Sequence, residues 1–332
     1  MIPRFVWLIV IMVTGQSMTP SAGMAESTRT SLFPKLHAGQ TFTYLIQYRS
    51  KKNVKTESRV FTPLGPQNDQ TDSQWLLHVE ILDVHPQGTK AQGTRAAIHA
   101  RSQFQSVDST LPLNSNDKST DKQRPPSAES KPVEFTILPN GRADAVKGLD
   151  LLFPEQRQVW QQWLRQFAIA AVFPREGVKL GESWRSTEIE EAPSPIAKLQ
   201  WEKSESYVRD EPCFPVQISD AGVATPKNSQ HETCAVVLTH AVLKQKSSPK
   251  DTTPVDYKLH ALHTSGTASG TNETISYIDL QSGLVVRVTE DAKQFMDVVI
   301  AKTDESNKIH YNVNAASHTE LLLVAPAAPS KP

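Results

Sequence analysis

The sequence predicts a mainly β protein: two tandem antiparallel β-subdomains, of curved-sheet, sandwich or half-barrel type, joined by one amphipathic α-helix. Three observations carry this. Apolar and polar residues alternate with period two through most of the chain. A single long segment breaks that rhythm with helical spacing. Two short blocks then recur at one constant offset. Length and composition set the frame: 332 residues, 35 basic against 35 acidic side chains, 38% hydrophobic and 23 prolines. A balanced charge gives no global field to draw nucleic acid or an anionic membrane surface. Collagen-like, coiled-coil and disulfide-scaffold compositions are excluded as well.

The N-terminus comes first. Arg4 precedes an unbroken apolar run, Phe5 to Val13, followed by a polar, small-residue stretch in which Gly23 and Ala25 occupy the −3 and −1 positions of a cut after Ala25. The run is far short of the roughly 20 residues that cross a bilayer as a helix, so residues 1–25 read as a secretory signal peptide. No cysteine occurs before Cys213, so the acylated cysteine of a lipoprotein is missing. The expectation is an exported protein, periplasmic or extracellular, soluble and not a lipoprotein, with no integral membrane segment in the mature chain.

Alternation then marks the strands. Trp75, Leu77, Val79 and Ile81 fall on one face, with His78 and Glu80 on the other. Leu199, Trp201 and Tyr207 form a second inward set, and Val255, Tyr257, Leu259 and Ala261 a third. Further strands are predicted over 40–48, 54–62, 96–105, 133–138, 183–190, 275–280, 284–290, 295–301 and 307–313. Residues 107–131 contain no aromatics and few aliphatics, so they read as a disordered insertion; residues 326–332 read as a Pro/Ala tail.

From Pro154 to Val172 the pattern changes. Val159, Trp160, Trp163, Leu164, Phe167 and Ala171 lie on one helical stripe, with Pro154 in the first turn, Asp150 as a cap slightly upstream and Pro174 as the stop. Cys213 and Cys234 each sit beside a strand and flank a polar loop of about 20 residues; in an oxidising compartment they form a disulfide closing a hairpin.

The internal echo organises the whole. KLHAGQTFTY, with Gly39 and Phe42, resembles VKLGESWRST, with Gly181 and Trp184; VEFTILPNGR, with Phe135 and Gly141, resembles ISYIDLQSGL, with Tyr277 and Gly283. All four positions are offset by 142 residues. This implies a tandem duplication: β-subdomain 1 over 32–148, a connecting helix over 149–173, and β-subdomain 2 over 174–325. Asn140-Gly141 and Ser282-Gly283 read as hairpin turns, since no strand, Gly-rich loop and helix surround them to cradle a phosphate.

The string Phe173–Trp184, with Pro174, Val178, Gly181, Glu182 and Trp184, and the later turn with Tyr277, Asp279 and Gly283 resemble a group of exported bacterial β-rich proteins to which no activity is assigned. The resemblance covers mainly residues 173–300. It implies a β fold and an envelope location, and nothing catalytic.

The search for chemistry returns no motif. His260 and His263 have the spacing of a helical metal pair, yet on a strand they would face opposite ways. No zinc spacing, Gly-x-Ser-x-Gly elbow or opposed carboxylate pair stands out, and Glu188, Glu190 and Glu191 read as the wet end of a strand. No catalytic residue, cofactor or metal site is therefore assigned. The expectation is a non-enzymatic interaction or structural module of the envelope, its partner an envelope protein. The alternative is a carrier of a lipid or other apolar ligand held in the concavity of a curved sheet, with Trp160, Trp163 and Phe167 lining the site.

Overall fold

A computed structural model describes residues 29–58, 66–87, 95–106, 130–139, 142–169, 173–190, 194–218, 224–226, 232–245, 253–302 and 307–325. The signal segment 1–25, insertion residues 107–129, the Asn140-Gly141 turn, Ala171 and the tail 326–332 lie outside the described residues.

Among the described residues, thirteen strands and two α-helices follow in chain order: β1 (Thr41–Ser58), β2 (Gln67–Gln87), β3 (Arg95–Ser106), β4 (Val133–Ile137), β5 (Ala143–Lys147), α1 (Pro154–Phe167), β6 (Ser183–Ile189), β7 (Leu199–Cys213), β8 (Val216–Ile218), β9 (Ala224–Pro226), β10 (Glu232–Gln245), α2 (Val255–Leu259), β11 (Leu262–Asp279), β12 (Val285–Lys302) and β13 (Lys308–Val324). They build one sheet in the order β5-β4-β3-β2-β1-β13-β12-β11-β10-β7-β6, with β8 and β9 off this path. Each half of the chain is thus a meander, and the halves join where β1 pairs antiparallel with β13, as at Tyr44 and Leu323.

Several predicted strands prove to be parts of longer ones. The segments 284–290 and 295–301 belong to β12, and 54–58 continues β1. The intervening stretches, such as Ser50–Lys55, carry polar groups on both faces, so alternation of apolar residues does not reveal them. One predicted strand is wrong. Val255–Leu259 is a single helical turn following Pro254, with Val255 and Leu259 71% and 76% exposed. Apolar residues four apart fit one helical turn as well as a strand, and Pro254 has no N–H for a ladder.

The sheet curls around α1. Trp160 donates to Ser102 of β3, Phe135 of β4 packs on Trp160, and Gln162 reaches Glu290 of β12. Those strands span five inter-strand spacings, roughly 24 Å if flat, about twice the ~10–12 Å diameter of a helix. Only a curved sheet lets one helix touch both flanks. The apolar cluster accordingly gathers Tyr44, Leu77, Phe104 and Phe135 from the first half with Tyr207, Val237, Ile278 and Leu321 from the second, all around the helix. A smaller cluster on the opposite face, Leu45, Val216 and Leu322, is roofed by the β8–β9 hairpin.

The helix starts differently from expectation. Asp150 belongs to a short 3₁₀ turn, Leu149–Leu151, and the Phe153 N–H is instead capped by Gln156 Oε1 at 3.2 Å. The helix also ends at Phe167, before Pro174 could stop it. At the base of the insertion, Ser130 is tied to β3: its N–H donates to Phe104 O at 2.9 Å and its Oγ accepts from Phe104 N at 2.9 Å. The predicted disordered stretch 107–131 is therefore two residues too long at its C-terminal end.

The two glycine blocks adopt the same conformation. Gly39 and Gly181 have φ of 82° and 81°, a left-handed backbone that glycine takes without steric cost. Gly39 N donates to Ile81 O and Gly181 N to Tyr207 O, both at 2.7 Å. The residue after each glycine folds back onto the same position upstream: Gln40 Oε1 accepts from His37 N at 2.8 Å, and Glu182 Oε2 from Lys179 N at 2.7 Å. One device thus launches both the first strand of the first meander and the first strand of the second.

Candidate functional site

Two places in this sheet gather side chains that could serve a ligand: the concave side under α1 and a groove on the opposite face. The concave side holds the aromatic stripe. Trp160, Trp163 and Phe167 are 1–2% exposed. Trp163 stacks on Phe167 with centroids 5.0 Å apart, Phe135 meets Trp160 edge-on at 5.2 Å and Trp163 at 5.9 Å, and Tyr44 meets Phe167 at 6.0 Å. These are the tilted and offset arrangements that aromatic quadrupoles favour. The helix is seated on the sheet side chain to side chain.

A second stripe on α1 was not legible as a motif. Gln158, Gln162 and Gln166 follow at four-residue spacing and face polar partners. Gln158 Nε2 donates to Tyr48 Oη at 2.8 Å, and Gln162 Nε2 to Thr319 Oγ1 at 2.6 Å and Glu290 Oε1 at 3.2 Å. Gln166 donates to the other oxygen of Glu290, and Asn272 Nδ2 to Oε1 at 2.8 Å. The Glu290 side chain, 5% exposed, is thereby held by three neutral amides, with no cation paired to it among the described residues. The spacing of the glutamines was the signal that could have found them; their carboxylate partner could only be found from strand register.

Register places these groups in a single row across the concave face. Glu205 pairs with Thr239, Thr239 with Thr274, Thr274 with Glu290, Glu290 with Thr319, Thr319 with Tyr48, and Tyr48 with Ser73. The row divides the core around α1 from a distal apolar cluster of Trp201, Leu243, Ala268 and Val298. Leu199, Trp201 and Tyr207 do share a face as predicted, but Tyr207 lies on the helix side of the row and the other two beyond it.

Glu205 ends the row. Ser186 Oγ donates to its Oε1 at 2.7 Å, while Oε2 is buried with no partner among the described residues. Burial pushes its carboxyl above the ordinary carboxylate range, opposed by the Ser186 hydrogen bond and the nearby Lys203. A carboxyl whose pKa is raised by folding binds more protons folded than unfolded, so its ionisation costs stability as pH rises past the unfolded value. Glu205→Gln should therefore be more stable than the parent at pH 7, with the difference shrinking towards pH 4. Thermal melts at the two pH values check this; an equal gain at both would mean the effect is not ionisation.

Elsewhere the singled-out residues find structural partners. Cys213 and Cys234 are bonded, with Cα atoms 5.7 Å apart, across the β7–β10 ladder where Cys213 stands opposite Glu232. Glu188 pairs with Lys203, and Glu190 accepts from Trp201 Nε1 at 2.7 Å. His260 Nδ1 lies 2.7 Å from Asp256 O and His263 Nδ1 3.0 Å from Thr253 Oγ1, so the two imidazoles serve separate contacts. Among the described residues no three His, Cys, Asp or Glu side chains converge as a metal site.

The groove lies on the face turned away from α1. Its volume is about 830 Å³ and its floor crosses β2, β1, β13, β12, β11 and β10. One row along it reads Gln70, Lys51, Ala316, Lys293, Thr271 and Val242; the next reads Asn68, Asn53, Asn314, Phe295 and Ser269. Lys52, Asp69, Gln294 and Ala315 lie between those rows, their side chains alternating to the other face, and Gly270 contributes backbone alone.

No protein-family model and no curated protein matches the chain. Among solved structures, two variants of a porin from Rh. blastica align with 85% of this chain and 99% of theirs, at 11% and 10% identity and TM-scores of 0.14 and 0.13. Scores that low carry no statement about shared fold.

Proposed function

We propose that this protein is a non-enzymatic, exported envelope protein that works as an interaction module, presenting its sheet to a partner while α1 serves as core. The observation that carries this reading is the seating of Trp160, Trp163 and Phe167 against Phe135 and Tyr44, which fills the concave side where an apolar ligand would otherwise sit. Export is supported by the short apolar run after Arg4 and by the Cys213–Cys234 disulfide, a bond that persists in oxidising compartments. Among the described residues, no helix is long and apolar enough to cross a membrane.

Native mass spectrometry of the protein purified from the envelope fraction tests the proposal. The expected species is a chain beginning at Glu26, with one disulfide and no bound lipid. A co-purifying lipid released on denaturation would transfer the function to the carrier reading. Recovery of intact Met1 from the cytosol would end the export reading.

A further inference from the structure

The groove on the outer face has a composition that its surroundings do not share. The row of the sheet on one side of it holds acidic side chains, each with a partner: Asp72 meets Arg49 at 3.5 Å, Asp291 meets His318 at 2.9 Å, and Glu273 meets His240. On the far side, His310 pairs with Asp297 and lies 3.7 Å from Glu57. Inside the groove the pattern stops. Lys51 and Lys293 form no ion pair among the described residues, and their cross-strand neighbours are the neutral Gln70, Ala316 and Thr271.

Those two lysines flank Ala316, one strand to either side, so their backbones stand about 10 Å apart. The alanine methyl between them leaves a gap that a longer side chain would fill. Beside this gap runs a ladder of carboxamides, Asn68, Asn53 and Asn314; Asn53 Nδ2 donates to Asn68 Oδ1 and Asn314 Nδ2 to Asn312 Oδ1 at 3.3 Å, which leaves each amide at least one N–H and oxygen lone pairs for a ligand. The ladder ends at Phe295, an aromatic ring left 37% exposed on a strand whose other large apolar groups are mostly covered. A partly exposed aromatic ring, a row of amides and two ammonium groups with no ion pair among the described residues are complementary to a ring that is apolar on one face, hydroxylated at its edge and acidic.

We infer that this groove binds an acidic saccharide, with a sugar ring on Phe295, hydroxyls on the asparagine ladder and the acid group between Lys51 and Lys293. A linear polyanion without rings, such as polyphosphate, is a poorer fit, because it would meet Asp72, Asp291 and Glu273 along the neighbouring row and would leave Phe295 and the amides unused. The inference rests on the interaction-module reading and names its ligand class.

The experiment uses the mature full chain and titrates it calorimetrically with three probes: a short oligouronate, a neutral oligosaccharide of the same length, and linear polyphosphate. The oligouronate is expected to bind most tightly, and to weaken as ionic strength rises through the range that screens exposed charges. Lys51→Ala and Lys293→Ala should each weaken it about tenfold. Phe295→Ala should do the same and Phe295→Tyr should not. Binding of polyphosphate as tight as that of the oligouronate, indifferent to Phe295→Ala, would reduce the groove to a simple cation patch and overturn the inference. So would absence of oligouronate binding, or binding that the three alanine variants leave untouched; in those cases an interaction module with another partner still stands. Because all three side chains are at the surface, near-unchanged melting temperatures will show that any loss is not unfolding.

Discussion

Replacing Trp163 by alanine is expected to destabilise the folded protein by about 3–5 kcal/mol, the cost of removing a large buried aromatic whose site cannot collapse. The surroundings are rigid in the required sense. Phe135, Tyr44 and Phe167 approach the indole from three directions, and each is held by its own element: β4, β1 and the next turn of α1. One feature pulls the number towards the lower end, since Trp163 Nε1 is buried without a partner among the described residues and truncation removes that burden. Trp163→Phe should therefore cost less than the ring volume alone implies. Urea denaturation followed by circular dichroism measures both. Against a total stability of about 5–15 kcal/mol, the alanine variant would lose a large part of its margin. A loss below about 1 kcal/mol together with lost uptake of a hydrophobic fluorophore that the parent binds would mean that α1 is a lid, and the carrier reading would take first place.

The second large effect concerns the disulfide. Converting Cys213 and Cys234 together to alanine should cost roughly 2–5 kcal/mol, with model loop-closure entropy near 3 for a loop of this size. The bond joins positions 21 apart in sequence, at the ends of β7 and β10, and the segment between them carries the β8–β9 hairpin. Val216 and Ile218 of that hairpin pack against Leu45 and Leu322 on the outer face, beside the junction of the two halves. Loss of the bond should therefore loosen this roof before the core around α1, so hydrogen exchange should rise first in β8 and β9. Using alanine in both positions avoids burying a hydroxyl at Cys234, which is fully enclosed. Equal melting temperatures with and without reductant would refute the role.

Much of the fold could be read from residue order because it is written in local periodicities. Leu77, Val79 and Ile81 alternate on β2 and are all buried, and Val159, Trp160, Trp163 and Phe167 mark α1 at helical spacing. The glycine echo was legible because a left-handed backbone restricts which residue can stand at Gly39 and Gly181. What stayed hidden depends on register. The row from Glu205 to Ser73 and the groove from Gln70 to Val242 each collect one residue per strand, and nothing in the spacing of Lys51 from Lys293 along the chain says that both flank Ala316. Val255–Leu259 failed for the opposite reason: five residues are too few for a helical period to separate from an alternating one.

The pairing of β1 with β13 has a consequence for assembly. Every other contact along the main path of the sheet joins strands that are neighbours or near neighbours in the chain, whereas this one ties Tyr44 to Leu323. Each meander can zip up with short loop closures, but the seam between them must wait for almost the whole polypeptide and bear the largest entropy of closure in the molecule. Until β13 arrives, β1 and β12 each expose a long, unpaired row of backbone donors and acceptors, the template on which strands of other chains add. The same strand that unites the halves is thus what keeps a nascent or partly unfolded chain from polymerising edge to edge.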